Sequence, residues 1–323
     1  MRGCANSMKA AVIKKYGKPS VLHIDKVNEV HPNTNEVKIQ IYASSVNPVD
    51  FKTRSGMLFF MSGIKFPKVL GSDFAGIITE CGEGVTDYAP GDEVFGFTNA
   101  VTKGGAYGQF LCVNTSSIAR KPTSLNFIEA GVTPLAASTA YQGLFKEGNM
   151  SSGMHICITG ATGGVGHFAV QIAKAANCHV TGICHSHNEE LAYQFGCDEV
   201  FPYDQVKFEN VNRQFDLIFD SVGKYGFFTC KSLLKKEGTY VSTVPSLPTM
   251  LIPLVPSVLK QQKARHFWAK SNTADLISIS QLSHQGVLKP FIENVFTIGE
   301  VSIAHELSET QKVRGKIGIE VNF

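Results

Sequence analysis

The sequence predicts an α/β protein: a doubly wound parallel sheet, preceded in the chain by a β-rich region. Three observations carry this. A strand, a glycine turn and a helix follow one another at 156–174. From His155 onward, strand-like and helix-like runs alternate in the βαβ manner. Residues 8 to about 120 instead show short strand-like runs separated by turn residues. At 323 residues the chain exceeds what one ordinary core organises, so two domains are expected.

Composition narrows the function class. A net charge of +3 is too small to argue for nucleic acid or an anionic membrane surface. The greasiest run, Leu251–Leu259, is interrupted by Pro253 and Pro256 and falls short of a membrane span. The residues before Met8 lack the apolar core of a secretion signal and read as an extension, with Met8-Lys9-Ala10-Ala11-Val12 as the natural start. The eight cysteines (4, 81, 112, 157, 178, 184, 197 and 230) form no C-x-x-C pair, and several sit in apolar runs. That usage suits a reducing cytoplasm rather than a disulfide scaffold.

In chain order, the expected strands of the first region are Ala10–Ile13, Val37–Ala43, Ala75–Cys81, Glu93–Phe97 and Phe110–Val113. Turns such as Cys81-Gly82-Glu83-Gly84 and Ala89-Pro90-Gly91-Asp92 separate them. Asn47-Pro48 opens a short helix, an N-cap residue followed by proline at the first helical position. Asp50 and Arg54 are expected to pair across one turn of it. Thr123 to about Gly148 reads as helical with a break at Pro134. Then come strands Ile156–Thr159, Val180–Ile183, Glu199–Phe201, Asp216–Phe219 and Thr239–Val244. Between and after them lie helices Val165–Ala176, Glu189–Phe195, Phe227–Leu234 and Ala274–Leu282.

The glycine turn is the most specific of these features. Ile156 and Ile158 form the strand, and Val165, Phe168, Ala169, Ile172 and Ala173 recur at helical spacing after it. Between them, Ala161-Thr162-Gly163-Gly164-Val165-Gly166 must turn sharply and admit a close neighbour. Gly163, Gly164 and Gly166 remove the side chains that would block it. The N–H groups of the first helical turn then face an anion such as a pyrophosphate. Ala161 stands where the usual fingerprint has its first glycine. A glycine-rich turn without a ligand is the alternative.

Several segments now form an ordered set: Ser44-Ser45-Val46-Asn47-Pro48-Val49-Asp50, Gly71-Ser72-Asp73-Phe74-Ala75-Gly76, Pro90-Gly91-Asp92-Glu93-Val94 and Gly105-Ala106-Tyr107-Gly108-Gln109-Phe110. Pro134-Leu135-Ala136-Ala137-Ser138-Thr139-Ala140-Tyr141-Gln142, the glycine turn and Phe219-Asp220-Ser221-Val222-Gly223 follow. Each is weak alone. In this order the chain resembles the zinc-independent, quinone-oxidoreductase-like branch of the medium-chain dehydrogenase/reductase superfamily, the branch of zeta-crystallin and enone reductases. The resemblance implies a Rossmann domain over residues 124–287 and a GroES-like catalytic domain over 1–123 and 288–323. Lys289-Pro290-Phe291-Ile292 and Gly315-Lys316-Ile317-Gly318-Ile319 would be closing strands with a structural role.

Zinc alcohol dehydrogenases of that superfamily place a cysteine ligand where this chain has Asn47, and a His-Glu pair where it has Ser72-Asp73. Their four-cysteine lobe corresponds to Phe97–Tyr107, which contains no cysteine. A tetrahedral zinc site needs convergent Cys, His or carboxylate ligands, so no metal is expected.

Cofactor choice rests on the end of the second βαβ strand, Thr181-Gly182-Ile183-Cys184-His185-Ser186-His187-Asn188. An acidic residue there would bind the ribose hydroxyls of NAD. No carboxylate follows until Glu189 and Glu190, which belong to the next helix. A 2′-phosphate needs donors without acidic neighbours, so NADPH is expected. The resemblance puts Ser186, His187 and Tyr203 near that phosphate. It also sets Val222, Gly223 and Thr243 along the nicotinamide and Thr139 beneath it. The expected activity is reduction of a quinone or of the C=C bond of an α,β-unsaturated carbonyl compound. Lys52, Tyr42 and Asn47 would be donors to the oxygen that collects negative charge. Lys52 is taken from the resemblance; a solvated lysine on a short helix is the alternative. A cofactor-binding protein without turnover is the second reading, and relatives imply a homodimer.

Overall fold

The computed structural model describes residues 7–244 and 262–323. The segment ahead of Met8, apart from Ser7, and the runs Leu247–Leu254 and Leu251–Leu259 lie outside the described residues. The strands of the first half are β1 (Ser7–Ile13), β2 (His23–Asn28), β3 (Glu36–Val46), β4 (Lys68–Val69), β5 (Asp73–Cys81), β6 (Glu93–Phe97), β7 (Phe110–Asn114) and β8 (Ile118–Arg120). Those of the second half are β9 (His155–Thr159), β10 (His179–Cys184), β11 (Glu199–Pro202), β12 (Phe215–Asp220), β13 (Leu234–Ser242), β14 (Lys263–His266), β15 (Ile292–Thr297) and β16 (Lys316–Glu320).

The chain divides into two compact units. One comprises Met1–Leu135, Lys270–Gly286 and Pro290–Phe323; the other comprises Ala136–Ala269 and Val287–Lys289. In the first, seven strands form a sheet in the order β15-β16-β3-β5-β6-β8, with β7 pairing β3; β2-β1-β4 form a smaller sheet. Long β3 centres the larger sheet. Val37, Ile39 and Ile41 alternate inward from it and join Phe74, Ile78, Tyr107, Leu111, Ile317 and Ile319 in one core.

The second unit holds six parallel strands in the order β11-β10-β9-β12-β13-β14. Numbered along the chain this is the third, second, first, fourth, fifth and sixth, the doubly wound Rossmann order. Ile156, Cys157 and Ile158, and Leu217, Ile218 and Phe219, have no exposure at all. Such unbroken apolar runs are what burial on both sheet faces demands. The order reverses between β9 and β12, so the ligand crevice is expected at their carboxyl ends.

Several local expectations change. Asp50 and Arg54 do not pair. Arg54 donates to the Gly17 carbonyl at 2.7 Å and pairs with Glu309, while Asp50 faces a separate buried cluster. The helix expected at Phe227–Leu234 covers only Gly226–Cys230 before a 3₁₀ turn, because Leu234 pairs with Phe215 as the first residue of β13. The stretch 123–148 forms Phe127–Val132, Pro134–Tyr141 and a wide π turn, Gln142–Glu147, closed by Gly148 N–H on the Gly143 carbonyl at 2.9 Å. Strands β2, β8 and β14 and helix Val301–Glu309 were not anticipated. No helix among the described residues is long and apolar enough to cross a membrane.

Candidate functional site

The turn after β9 leaves little choice of residue. Gly160 has φ +62°, a left-handed conformation. A Cβ on Gly166 would lie 1.9 Å from the Gly160 carbonyl oxygen, so only glycine lets the helix Gly166–Ala175 start this close to the strand. A Cβ on Gly163 would meet its nearest atom at 3.3 Å. Ala161 is fully buried, and Gly182 on β10 explains how it fits. A Cβ on Gly182 would come within 3.0 Å of the Ala161 methyl. The methyl absent from the second strand is the room that the extra methyl of the turn occupies. The turn thus keeps the bare backbone and helix N-terminus a pyrophosphate requires, and a dinucleotide fits its residues.

At the ends of β12 and β13, Asp220 organises the next loop. Its buried carboxylate accepts from Thr159 Oγ1 at 2.6 Å, Tyr240 OH at 2.9 Å and the N–H groups of Val222 and Gly223 at 3.3 and 2.9 Å. Gly223 has φ +73°, and a Cβ there would lie 2.4 Å from Val244. Thr243 Oγ1 donates to the Ser221 carbonyl at 3.1 Å. Val222 is left half exposed. Thr139 is buried on the helix Pro134–Tyr141.

Ser186, His187 and Tyr203 do come together, with three residues the sequence reading passed over. His185 packs edge-on to Tyr203 at 5.6 Å and beside His187 at 4.9 Å; the Lys224 ammonium lies 4.5 Å from the Tyr203 ring centre. The third, Asp204, corrects the premise that no acid is near. Its carboxylate accepts from the Ser186 N–H at 2.8 Å and the Ser186 hydroxyl at 2.6 Å. The Ser186 hydroxyl bond, above all, holds the Asp204 carboxyl below its usual range. The acid arrives from the end of β11, the neighbouring strand, where reading β10 alone does not look.

In the first unit, Asn47 lies within a buried polar cluster. Its amide Nδ2 is 2.8 Å from Asp73 Oδ2, 3.1 Å from Ser45 Oγ and 3.2 Å from Ser72 Oγ. Its Oδ1 accepts from Lys316 Nζ at 2.5 Å, and that ammonium is 3.5 Å from Asp73. Asp50 Oδ2 accepts the Asn47 N–H at 2.8 Å and Ser72 Oγ at 3.3 Å, while its other oxygen has no partner among the described residues. Burial, with the Asp73 charge adding, pushes the Asp50 carboxyl up to about 7. Burial pulls the Lys316 ammonium below its usual value. With Asp50 protonated, Lys316 and Asp73 form the cluster's one ion pair. Lys316 was expected to be a plain strand residue. The signal that marks it is a lysine inside an apolar closing strand, Lys-Ile-Gly-Ile.

Of the other expected donors, Tyr42 is 38% exposed and stacks on Phe127 at 4.8 Å. Lys52 is half-buried on the helix Pro48–Ser55, and nothing among the described residues pairs with its ammonium. Among the described residues no hydrogen bond, ion pair or ring contact joins Tyr42, Asn47 and Lys52 to one another. Asn47, with its amide committed on both sides, is a structural centre of the cluster. The positions corresponding to zinc ligands hold an amide, a hydroxyl and one carboxylate, with an ammonium in their midst. That donor set does not suit a zinc ion.

Residues 33–123 match the alcohol dehydrogenase GroES-like domain, and residues 195–317 match a domain described as zinc-binding dehydrogenase. The mitochondrial NAD(P)H oxidoreductase RTN4IP1 of Homo sapiens is 32% identical, over 97% of this chain and 89% of that protein. The 2-methylene-furan-3-one reductase of Solanum lycopersicum is also 32% identical, over 97% of this chain and 79% of that protein. Among solved structures, the quinone oxidoreductase from Coxiella burnetii superposes with a TM-score of 0.91 at 29% identity, over 98% of this chain and all of that one.

Proposed function

Because the chain belongs to the quinone-oxidoreductase-like branch of the medium-chain dehydrogenase/reductase superfamily, we propose that it reduces quinones or the C=C bond of α,β-unsaturated carbonyl compounds with NADPH, and without zinc. It is a nicotinamide-dependent oxidoreductase. The observation that carries the finer reading is the Lys316 ammonium, bonded to Asn47 at 2.5 Å where relatives would hold a metal ion. In zinc alcohol dehydrogenases the metal acts as the Lewis acid that supports the substrate alkoxide, and the donor set of this cluster does not suit such an ion. A conjugated acceptor needs no Lewis acid, since its charge is delocalised onto an oxygen that one or two hydrogen-bond donors hold.

The nicotinamide supplies a hydride when bound. The chain's own part is positioning. The 160–166 turn presents N–H groups to the pyrophosphate, and the Asp220 cluster fixes the Val222-Gly223 backbone. Lys52 or Tyr42 then donates to the substrate oxygen. His185, His187 and Lys224 supply cationic or donor groups for a 2′-phosphate. The cysteines of the described residues form no disulfide with one another, which fits a reducing compartment, the cytoplasm in our reading. Cell fractionation checks this, since the human relative's name is mitochondrial. A homodimer is our reading of the assembly.

The test is a substrate panel followed by NADPH absorbance, with and without prior chelation. Turnover of enones or quinones, undiminished by chelator, with simple alcohols inert, is expected. Activity that falls with zinc removal and returns with zinc refutes the metal-free reading. NADPH binding with no turnover on any acceptor favours a non-catalytic binding protein.

A further inference from the structure

At the far end of the second unit's sheet from the glycine turn, three side chains with metal-binding chemistry converge. His155 opens β9, His179 opens β10 and Glu199 opens β11. The strands are adjacent and parallel, with His155 beside His179 and Glu199 beside Thr181. Residues in register share a face, as do residues two apart on one strand. All three side chains therefore leave the same face of the sheet. One ring nitrogen of each imidazole and one Glu199 oxygen lie within 4.8 Å of one another. The rings meet edge-on, 4.6 Å between centres.

The surrounding groups hold this arrangement as they hold ligands elsewhere. His155 Nε2 is 2.9 Å from Thr181 Oγ1, and His179 Nδ1 is 3.7 Å from Asp198 Oδ2. His155 Nε2 thus has a hydrogen-bonding oxygen, which leaves its other nitrogen for an ion, while the Asp198 carboxylate stands beside His179 at ion-pair distance. The His155 backbone N–H is fixed by Asp216 at 2.8 Å. Arg213 grips Glu199, with Nε 3.1 Å from Oε2 and Nη2 3.0 Å from Oε1. Oε1 also takes Nε at 3.3 Å, so Oε2, with one guanidinium contact, is the oxygen that keeps a lone pair for an ion. Lys174 pairs with Asp198 and Lys235 with Asp216, both at 2.8 Å. Each nearby carboxylate thus has its cation, and no excess charge repels or collects ions indiscriminately.

We propose that His155, His179 and Glu199 form a site for one divalent transition ion of the zinc class, clamping the amino ends of three neighbouring strands. Two imidazoles and a carboxylate suit zinc, nickel or copper and disfavour magnesium. Bonds of about 2.0–2.2 Å draw the donors inward by roughly an ångström. His179 and Glu199, 47% and 29% exposed in their side chains, have room to make that move. Water completes the coordination. The proposal does not rest on the reductase reading, since the site lies at the other end of the strands from the turn.

The test is calorimetric titration of the chelator-stripped full chain with zinc chloride, with the melting temperature read in parallel. One equivalent should bind with micromolar affinity and raise the melting temperature. His179→Ala and Glu199→Gln should each weaken binding at least tenfold, with enone or quinone turnover unchanged. His179 is exposed enough that its loss leaves the fold intact, and the unaltered melting temperature of the stripped variant verifies this. Absence of binding up to millimolar zinc, equal affinity in His179→Ala, or magnesium binding as tightly as zinc would each overturn the assignment.

Discussion

Asp204 is the residue on which cofactor choice turns. Its carboxylate already occupies the Ser186 hydroxyl and N–H, and its charge opposes a 2′-phosphate arriving at the same groups. His185, His187 and Lys224 act in the other direction. Asp204→Asn keeps the bonding shape and removes the charge, so NADPH affinity should rise several-fold, with NADH affinity little changed. Fluorescence titration with both cofactors checks it; an equal change for the two would show that Asp204 does not face the phosphate. Lys52 carries the second prediction at this scale. If its ammonium holds the substrate oxygen, Lys52→Ala should lower kcat/KM roughly a hundredfold, about 3 kcal/mol, with NADPH affinity unchanged. Full activity in that variant moves the role to Tyr42.

Among elements, the glycine turn was legible and the adenosine end was not, for the same physical reason. A strand–turn–helix unit is local: Gly163 and Gly166 announce its backbone needs within a dozen residues. Asp204 acts on Ser186 across 18 residues, through a strand pairing that no local pattern encodes. Helix Val301–Glu309 escaped notice because two of its four buried positions are polar, His305 and Ser308, and strand β2 because no residue of it is fully buried. The Asp50–Arg54 pair failed because both side chains are buried and found deeper partners than each other. The close approach at Gly166 gives a graded prediction. Gly166→Ala drives a Cβ into the Gly160 carbonyl and should cost about 2 kcal/mol or more, with cofactor binding lost. Gly163→Ala, whose Cβ would press on the Gly160 carbonyl oxygen at 3.3 Å and needs a shift of only a few tenths of an ångström, should cost less, about 1 kcal/mol. Thermal melts of the two variants check this, and equal melting temperatures would refute it.

For the whole molecule, two buried groups of the first unit set opposing responses to acid. Asp50 titrates at about 7 in the folded chain against an ordinary 3.8, so folding takes up a proton. The stability it gives is complete below about pH 4 and is lost as pH rises through 7. His305, 3.1 Å from the Tyr107 hydroxyl, is pushed down by burial to about 3 from 6.5. Its contribution is complete above pH 6.5 and is lost as pH falls toward 3. Between about pH 4 and 6.5 the two slopes cancel, and above that range Asp50 alone acts. Asp50→Asn mimics the protonated acid, so it should be about 2 kcal/mol more stable than the natural chain at pH 8. It should also uncover a rise in stability from pH 4 to 6.5. Denaturant unfolding across that pH range decides it, and identical pH profiles for the two chains would exclude Asp50 as the source.

The Lys316 ammonium also has a place in time. It is separated from Asp73 by 243 positions of chain, and ribosomes add roughly 5–20 residues per second. Each newborn molecule therefore carries Asp73 for roughly ten to fifty seconds before its counter-ion has been made. During that interval burying Asp73 would strand a charge whose ammonium partner does not yet exist. The burial penalty therefore favours keeping this part of the first unit solvated until β16 is available to pair with β3.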